Sequence, residues 1–380
     1  MHFDTLTIHG TKETDPAYGA VMPPVYLSST FAFKGVGQPG PFDYSRSGNP
    51  TRAQLEETLA RLDGGVRGFA FATGMAAEST VLGLLSAGDH LIVHDDLYGG
   101  TYRLLTDVCR RQGLLVEFVN LRDHAAFLAA LQPATKAVWF ESVTNPLASV
   151  LDFEPLVSVC AERKILTICD NTFLSPACFR PLEHHIDVVL HSTTKYLNGH
   201  SDVVGGAVVV ADRELGDKIG FLQNTLGTGA SAFDCYLVLR GVRTLPLRMA
   251  RHNDNGLAVA QWLAQHPKIL AVNHPGLKTH ADNVLASRLF RGFGGTFSFR
   301  VRGGASATEK LLGGVRLFIL AESLGGVESL IEQPWTMTHA AMPEDARLRA
   351  GITEDLVRIS VGLEHPSDLI SDLEQALNAV

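Results

Sequence analysis

Lys195 stands in the segment His191-Ser192-Thr193-Thr194-Lys195-Tyr196-Leu197-Asn198-Gly199-His200-Ser201-Asp202, directly after the apolar run Asp187-Val188-Val189-Leu190. A strand here delivers two hydroxyls and one amine to a single point. The combination suits a phosphorylated aldehyde: the Lys195 amine condenses with the carbonyl as a Schiff base, and the hydroxyls of Ser192 and Thr194 bond phosphate oxygens beside it. Pyridoxal 5'-phosphate (PLP) is the candidate cofactor. For a lone S-x-T-K the plainer alternative is a surface lysine after a strand, with both hydroxyls closing turn backbone groups.

Three further segments favour the chemical reading. Lys164-Ile165-Leu166-Thr167-Ile168-Cys169 reads as a short buried strand ending on Asp170-Asn171-Thr172. Ligands of open α/β sheets collect at the carboxyl ends of strands, and an Asp there can pair with a pyridinium nitrogen, although Asp also forms turns. Gly68-Phe69-Ala70-Phe71-Ala72-Thr73-Gly74-Met75-Ala76-Ala77 reads as strand, tight turn and helix start, with the helical stretch running from Met75 to Leu85. Backbone N–H groups at such a terminus bind anions, and a glycine lets a phosphate come close; an ordinary Thr N-cap with Gly is the structural alternative. Asp96-Leu97-Tyr98-Gly99-Gly100-Thr101-Tyr102-Arg103 follows the strand-like His90-Leu91-Ile92-Val93-His94. Tyr98 is placed to stack on a flat heterocycle and Arg103 to meet a carboxylate, whereas an isolated Tyr-Gly-Gly is a turn.

With these residues in this order the chain resembles the Cys/Met-metabolism family of PLP enzymes, which holds cystathionine γ-synthase, γ-lyase and β-lyase and methionine γ-lyase. The similarity runs over nearly the whole chain: Tyr44-Ser45-Arg46-Ser47-Gly48-Asn49-Pro50-Thr51-Arg52, Thr73-Gly74-Met75, Tyr98-Gly99-Gly100, Glu141-Ser142-Val143-Thr144-Asn145-Pro146, Asp170-Asn171-Thr172 and the Lys195 segment. It continues through Ala321–Leu330, Met337-Thr338-His339-Ala340 and Arg358-Ile359-Ser360-Val361-Gly362-Leu363-Glu364. The resemblance implies Lys195 as Schiff-base lysine and proton shuttle, Asp170 as partner of the pyridine nitrogen and Tyr98 as ring-stacking residue. It further implies phosphate contacts from Gly74, Met75, Ser192 and Thr194, with Tyr44 and Arg46 reaching the same phosphate from a neighbouring subunit. Asn145 would approach the ring hydroxyl, Arg358 would clamp the substrate α-carboxylate, a bidentate task suited to guanidinium, and Ser323 would lie beside it. Val143 stands where many relatives have proline, and Thr73 where serine is commoner.

The resemblance also carries the fold expectation: α/β, the aspartate-aminotransferase type (fold type I), with a mostly parallel sheet in a large domain and a smaller α+β C-terminal domain. Independently, 380 residues with 46% hydrophobic content exceed one ordinary domain. Short apolar runs at 69–72, 91–94, 114–119, 137–141, 165–170, 187–191 and 203–210 alternate with helical stretches in a βαβ rhythm. A proline at Leu245-Pro246 follows the helical Phe233 to Thr244, and a periodic segment from Leu247 to His266 opens the last part. The expected division is an arm at 1–60 that contributes to a neighbour's site, a PLP-binding domain at 61–245 and a C-terminal domain at 246–380.

The net charge of −8 and the absence of a basic face argue against nucleic acid. No apolar run reaches membrane-span length and the start Met1-His2-Phe3-Asp4-Thr5 lacks signal-peptide order, so a cytoplasmic protein is expected. Five cysteines without paired zinc spacing (Cys109, Cys160, Cys169, Cys178, Cys235) read as buried reduced thiols, and no metal is expected, since adjacent His184 and His185 diverge too far on a helix to chelate one ion. Gly292-Phe293-Gly294-Gly295 lacks dinucleotide-loop spacing and reads as a turn before the strand-like Thr296-Phe297-Ser298-Phe299-Arg300.

Within the family, relatives specialised for methionine γ-elimination commonly carry cysteine where this chain has Gly100 and do not retain Arg103, whose guanidinium would hold a distal carboxylate. The segment 322–342 is most similar to cystathionine γ-synthases and γ-lyases, with Glu328 facing a distal ammonium. Phe233-Asp234-Cys235-Tyr236-Leu237 and 351–373 also resemble β-lyases. The leading expectation is therefore γ-replacement on an O-acylhomoserine with cysteine, or γ-elimination of L-cystathionine; β-elimination to homocysteine and pyruvate is the second. A PLP-binding regulatory protein or a nucleotide-binding module is the non-enzyme alternative. Small amino-acid substrates and a homo-oligomer, a dimer of dimers, complete the expectations.

Overall fold

The computed structural model describes residues 1–10, 15 and 17–380. Seven strands occupy the apolar runs of the first half: β1 (Arg67–Phe71), β2 (His90–His94), β3 (Leu115–Val119), β4 (Thr135–Glu141), β5 (Leu166–Asp170), β6 (Val188–His191) and β7 (Gly206–Val210). The largest difference from the sequence expectation is the start of β7, Gly206 rather than Val203. Thr194 accounts for it: its hydroxyl accepts from the N–H of Gly205 at 2.9 Å and donates to its C=O at 3.2 Å, which diverts both backbone groups from the ladder. The chain divides into two compact units, Met1–Leu85 with Arg180–Pro246, and Ser86–Phe179 with Leu247–Val380.

The first unit carries β1, β7 and β6 in that order, with β7 antiparallel to both neighbours. The segment between β6 and β7 holds the Lys195 turn and no crossover helix, which is why the chain returns antiparallel. Helix Pro50–Asp63 buries Leu55, Leu59 and Leu62, one face of a 3.6-residue period. Asn49 caps its start, accepting from the N–H of Thr51 and Arg52 with Pro50 following, and Gly64 in the left-handed region ends it at φ 76°.

In the second unit β5, β4, β2 and β3 lie side by side, all parallel. Their carboxyl ends therefore share one edge, and the residues leaving it include Tyr98 after β2, Asn145 after β4 and Asp170 on β5. The same unit holds a second sheet of β8 (Ile269–Asn273), β9 (Thr296–Val301), β10 (Ile319–Leu320), β11 (Leu330–Glu332) and β12 (Leu356–Ser360), ordered β10-β11-β12-β9-β8. The strand at Thr296 after Gly292–Gly295 is the one the sequence indicates. Strand alternation sorts its two faces. Phe297, Phe299, Val301, Val357 and Ile359 join Leu311, Leu369, Leu373 and Leu377 in one apolar core, while Ser298, Arg358 and Ser360 point the other way.

All five cysteines are buried with free thiols, and burial pushes the Cys178 thiol up to about 11. No helix among the described residues is long and apolar enough to cross a membrane. Among the described residues no group of His, Cys, Asp and Glu is arranged to hold a metal ion, and His185 leaves the short helical turn Pro181–His184 at φ 61°.

His252 is fully buried on helix Leu245–Leu263 and its Nδ1–H donates to Val361 O at 2.8 Å. Burial, with Arg248 adding to it, lowers its pKa from 6.5 to about 4, so the folded protein holds it neutral. A depressed folded pKa gives stability that is complete above about pH 6.5 and lost as pH falls through about 4. Between pH 7 and pH 5 this group alone should cost about 2 kcal/mol. In His252→Gln, which keeps a donor for Val361, the loss of unfolding free energy over that interval is expected to shrink by about that amount. An unchanged pH dependence in urea titrations would mean that His252 takes up a proton as readily in the fold as in the unfolded chain.

Candidate active site

The expected site residues fall into two sets, one in each unit. In the first unit the turn after β6 begins with His191, whose Nε2 meets the buried Asp63 carboxylate at 2.9 Å. That contact fixes the end of the strand just before Ser192. The turn then closes on itself through Lys195 N–H to Ser192 O (3.2 Å), Asn198 N–H to Thr193 O (3.0 Å) and Gly199 N–H to Lys195 O (2.8 Å). Lys195 is half-buried. The Thr194 hydroxyl donates to Gly205 O in this arrangement.

The helix Gly74–Leu82 starts beside this turn. Thr73 caps it, its hydroxyl accepting from Ala76 N–H at 2.8 Å, while the N–H groups of Gly74 and Met75 have no acceptor among the described residues. A Cβ added at Gly74 would lie 3.2 Å from Ser192 Cβ and 3.3 Å from Ser192 Oγ. The two segments expected to hold a phosphate are thus in contact, with a helix N-terminus, two unused donors and a serine hydroxyl at one place. That donor set fits the phosphate of PLP.

In the second unit Arg358 projects from the polar face of β12 and is 3% exposed. Register opposite Glu332 on β11 makes a buried ion pair at 2.9 Å. Its other bonds run from Nη1 to Asn145 Oδ1 and from Nη2 to Ser323 O, each 3.1 Å. Ser323 sits at φ 92°, a region a non-glycine residue occupies only under constraint, and its carbonyl is thereby turned to the guanidinium. Because Asn145 Oδ1 is committed to Arg358, its Nδ2 is the end left to donate to a ligand. His339 meets Thr338 Oγ1 at 2.9 Å and Asn145 O at 3.3 Å, and Thr338 donates to Glu332 at 2.8 Å. Burial, then Arg358, depresses His339 to about 4. The sequence reading missed Glu332 and His339 as site residues; the β11–β12 register reveals the first, and the contacts with Thr338 and Asn145 reveal the second.

The carboxyl edge of the parallel strands carries Asp170, whose Oδ1 accepts from Thr172 N–H at 2.8 Å, and Tyr98, a residue 38% exposed. Glu141, buried at the end of β4, accepts from Tyr98 N–H at 2.7 Å and Asn145 N–H at 3.0 Å. Burial and then the neighbouring Asp170 raise its pKa well above the usual carboxylate range. Asp96 is raised to about 6, chiefly by burial. Arg103 and Glu328 are solvent-exposed in the single chain. On the arm, Tyr44 and Arg46 are also exposed, the guanidinium 5.5 Å from the ring centroid and its Nε 3.2 Å from Asn224 Oδ1.

The chain matches the model of the Cys/Met metabolism PLP-dependent enzyme family over residues 4–378. It belongs to that family. It is 50% identical over 375 residues to a cystathionine gamma-synthase of Mycobacterium tuberculosis, covering 98% of this chain and 96% of the relative. Identity to a cystathionine beta-lyase of Coxiella burnetii is 47% over 378 residues, 99% of this chain and 98% of the relative. A cystathionine gamma-lyase of Lactobacillus plantarum, solved with L-serine, superposes with a TM-score of 0.98 at 43% identity, covering 100% of this chain and 99% of that one. The α/β fold of these PLP enzymes, fold type I, is therefore the fold of this chain, and the chain is a PLP-dependent enzyme rather than a regulatory PLP-binding protein or a nucleotide-binding module.

Close packing around the Gly74 turn is open to a direct test. A Cβ at Gly206 would lie 2.3 Å from Thr73 O, a backbone atom, and 3.0 Å from Gly74 Cα. Gly206→Ala should force the turn to move and lower stability by about 1–3 kcal/mol. Gly313, inside helix Gly304–Gly314 with nothing within 4 Å of an added Cβ, is the control, where alanine should be neutral or stabilising by about 1 kcal/mol. Equal denaturation midpoints for the two variants would contradict this account.

Proposed function

We propose that the chain is a trans-sulfuration enzyme acting at the γ-carbon, a cystathionine γ-synthase or γ-lyase. The observation that carries this reading is the 50% identity over 375 residues to the mycobacterial γ-synthase. The 47% identity to the Coxiella burnetii β-lyase supports β-elimination as the second reading. Lys195 would hold the cofactor covalently, with phosphate donors from Gly74 N–H, Met75 N–H and Ser192. Asp170 would answer the ring nitrogen, Tyr98 stack on the ring and Asn145 Nδ2 donate to its hydroxyl.

PLP, when bound, supplies an electron-withdrawing ring that makes the α-proton of an amino acid acidic. The remaining work falls to the protein. Arg358, already held flat by Glu332, Asn145 and Ser323 O, binds the α-carboxylate and so presents Cα in one orientation. Lys195 Nζ takes the proton from Cα. For a γ-leaving group the same amine would first have to pass that proton on to the bound cofactor, and only then, as a free base again, take one from Cβ; a β-leaving group would depart without that second transfer. The same residues serve both courses, so Arg103 and Glu328, which would hold the distal carboxylate and ammonium of cystathionine, are the proposed determinants of substrate. The free, buried thiols support a reducing compartment, the cytoplasm. The sequence division into an arm (1–60), a cofactor domain (61–245) and a C-terminal domain (246–380) is retained as the functional one.

Incubation of one preparation with L-cystathionine alone, and with O-succinyl- or O-acetylhomoserine plus cysteine, separates the readings. The expected products are 2-oxobutyrate or new cystathionine, and Lys195→Ala should form neither. Pyruvate as the main keto acid from cystathionine would replace the leading reading with β-elimination.

We further infer a homo-oligomer, a dimer of dimers, in which the arm completes a neighbour's site. Support comes from the arm itself. Tyr18, Val21, Leu27 and Val36 are 94%, 81%, 75% and 104% exposed, an apolar surface a lone chain leaves in water. Isologous pairing completes two sites at once. Mixing Lys195→Ala with Arg46→Ala under subunit exchange should restore activity to an inactive pair, because a heterodimer holds one site free of both lesions. Absence of recovery, with heterodimers demonstrated by native mass spectrometry, would assign Arg46 to its own subunit.

A further inference from the structure

Two loops of the second unit present ligand-facing groups, and both end on the same side chain. The Tyr98 loop follows β2 and the Asn145 loop follows β4, and Glu141 lies 43 residues from one and four from the other. Each of its oxygens serves one loop: Oε1 takes Tyr98 N–H at 2.7 Å and Oε2 takes Asn145 N–H at 3.0 Å. We propose that Glu141 is a positioning residue of the cofactor site, a buried carboxylate strap that ties the plane of the Tyr98 ring to the place of the Asn145 amide. This inference rests on the PLP reading above.

Electrostatics argue that the strap serves position rather than stability alone. Glu141 pairs in register with Asp170 on the adjacent parallel strand, so two acidic side chains neighbour each other at one edge, and Asp96 adds a third charge. An apolar residue at the end of β4 would avoid that repulsion. The two donors reach different oxygens of one side chain, Oε1 and Oε2, and a carboxyl group places an acceptor atom at each. Glutamine has a single acceptor, and its amide N–H₂ would face the second N–H. The consequence is local. Asn145 is fixed at three points, its N–H by Glu141, its Oδ1 by Arg358 and its C=O beside His339, so a slip at Glu141 displaces Nδ2 while the other two contacts hold.

The test uses Glu141→Gln and Glu141→Ala in the full chain, with wild type and Lys195→Ala beside them. In the cofactor-free protein, hydrogen exchange of the peptides holding Tyr98 and Asn145 should quicken about tenfold or more at one amide in Glu141→Gln and at both in Glu141→Ala. In the cofactor-loaded protein, Glu141→Gln should alter the visible circular dichroism per bound PLP, which reports the ring's surroundings. Its kcat should fall on the order of tenfold with a smaller change in KM. Unchanged exchange, or dichroism and kcat within about twofold of wild type, would overturn the proposal. Loss of fold in both cofactor-free variants would also overturn it, by making Glu141 a stability residue. The PLP reading fails separately, if wild type takes up no PLP or if Lys195→Ala keeps the wild-type visible band.

Discussion

A guanidinium buried to 3% exposure constrains everything around it. Removing Arg358 from water without compensation would cost several kcal/mol, and the second unit answers with one full counter-charge and two oriented oxygens. The counter-charge is Glu332, supplied by strand register, and the oxygens come from Asn145 and from a Ser323 carbonyl turned inward by a left-handed backbone. The arrangement leaves Arg358 planar, fixed and neutralised before any substrate arrives. His339 is kept uncharged first by its own burial and then by Arg358 beside it, since a second cation there would be repelled. One ion pair thereby sets the polar face of the C-terminal sheet and the orientation of the Asn145 amide, and adds to what holds a histidine neutral.

Much of this was legible in the sequence because it is local. The strands announce themselves as short apolar runs, and a parallel arrangement brings Tyr98, Asn145 and Asp170 to one edge by topology alone. Alternation along Phe297-Ser298-Phe299 and Val357-Arg358-Ile359 likewise sends the apolar side chains to one face and Arg358 to the other. Glu332 and Glu141 were not legible as site residues, since their meaning lies in what they touch. Glu332 acquires its role from pairing with a strand 26 positions away, and Glu141 from the approach of a loop 43 positions away. Neither spacing has a signature in period or motif. Thr194 shows the converse: a motif hydroxyl with an expected ligand role has its proton engaged by Gly205.

The first unit achieves precision by closeness rather than by charge. Gly206 has no room for a methyl group against Thr73 O, and Gly74 has little against Ser192. Backbone therefore lies on backbone where the helix N-terminus and the Lys195 turn meet, and the unused N–H groups of Gly74 and Met75 stay at a fixed distance from the serine hydroxyl. The Asp63–His191 contact anchors the strand end just upstream. Anion recognition by these groups would depend on main-chain position, which side-chain substitution at exposed positions would scarcely disturb.

Charge and closeness have opposite consequences for the protein without its cofactor. Packed glycines stabilise the fold regardless of ligand, but Glu141, Asp170 and Asp96 crowd carboxylates at one edge: burial and then repulsion from Asp170 raise Glu141 well above its ordinary value, and burial chiefly raises Asp96 to about 6. Raised folded pKa values mean that the stability tied to these two groups is complete at low pH and lost as pH rises through them. A cation placed against Asp170 cancels part of the repulsion at Glu141, so a protonated ring nitrogen there would stabilise the strap as well as its direct partner. The same like-charge neighbourhood that weakens the empty edge would thus favour a ligand that brings its own positive charge.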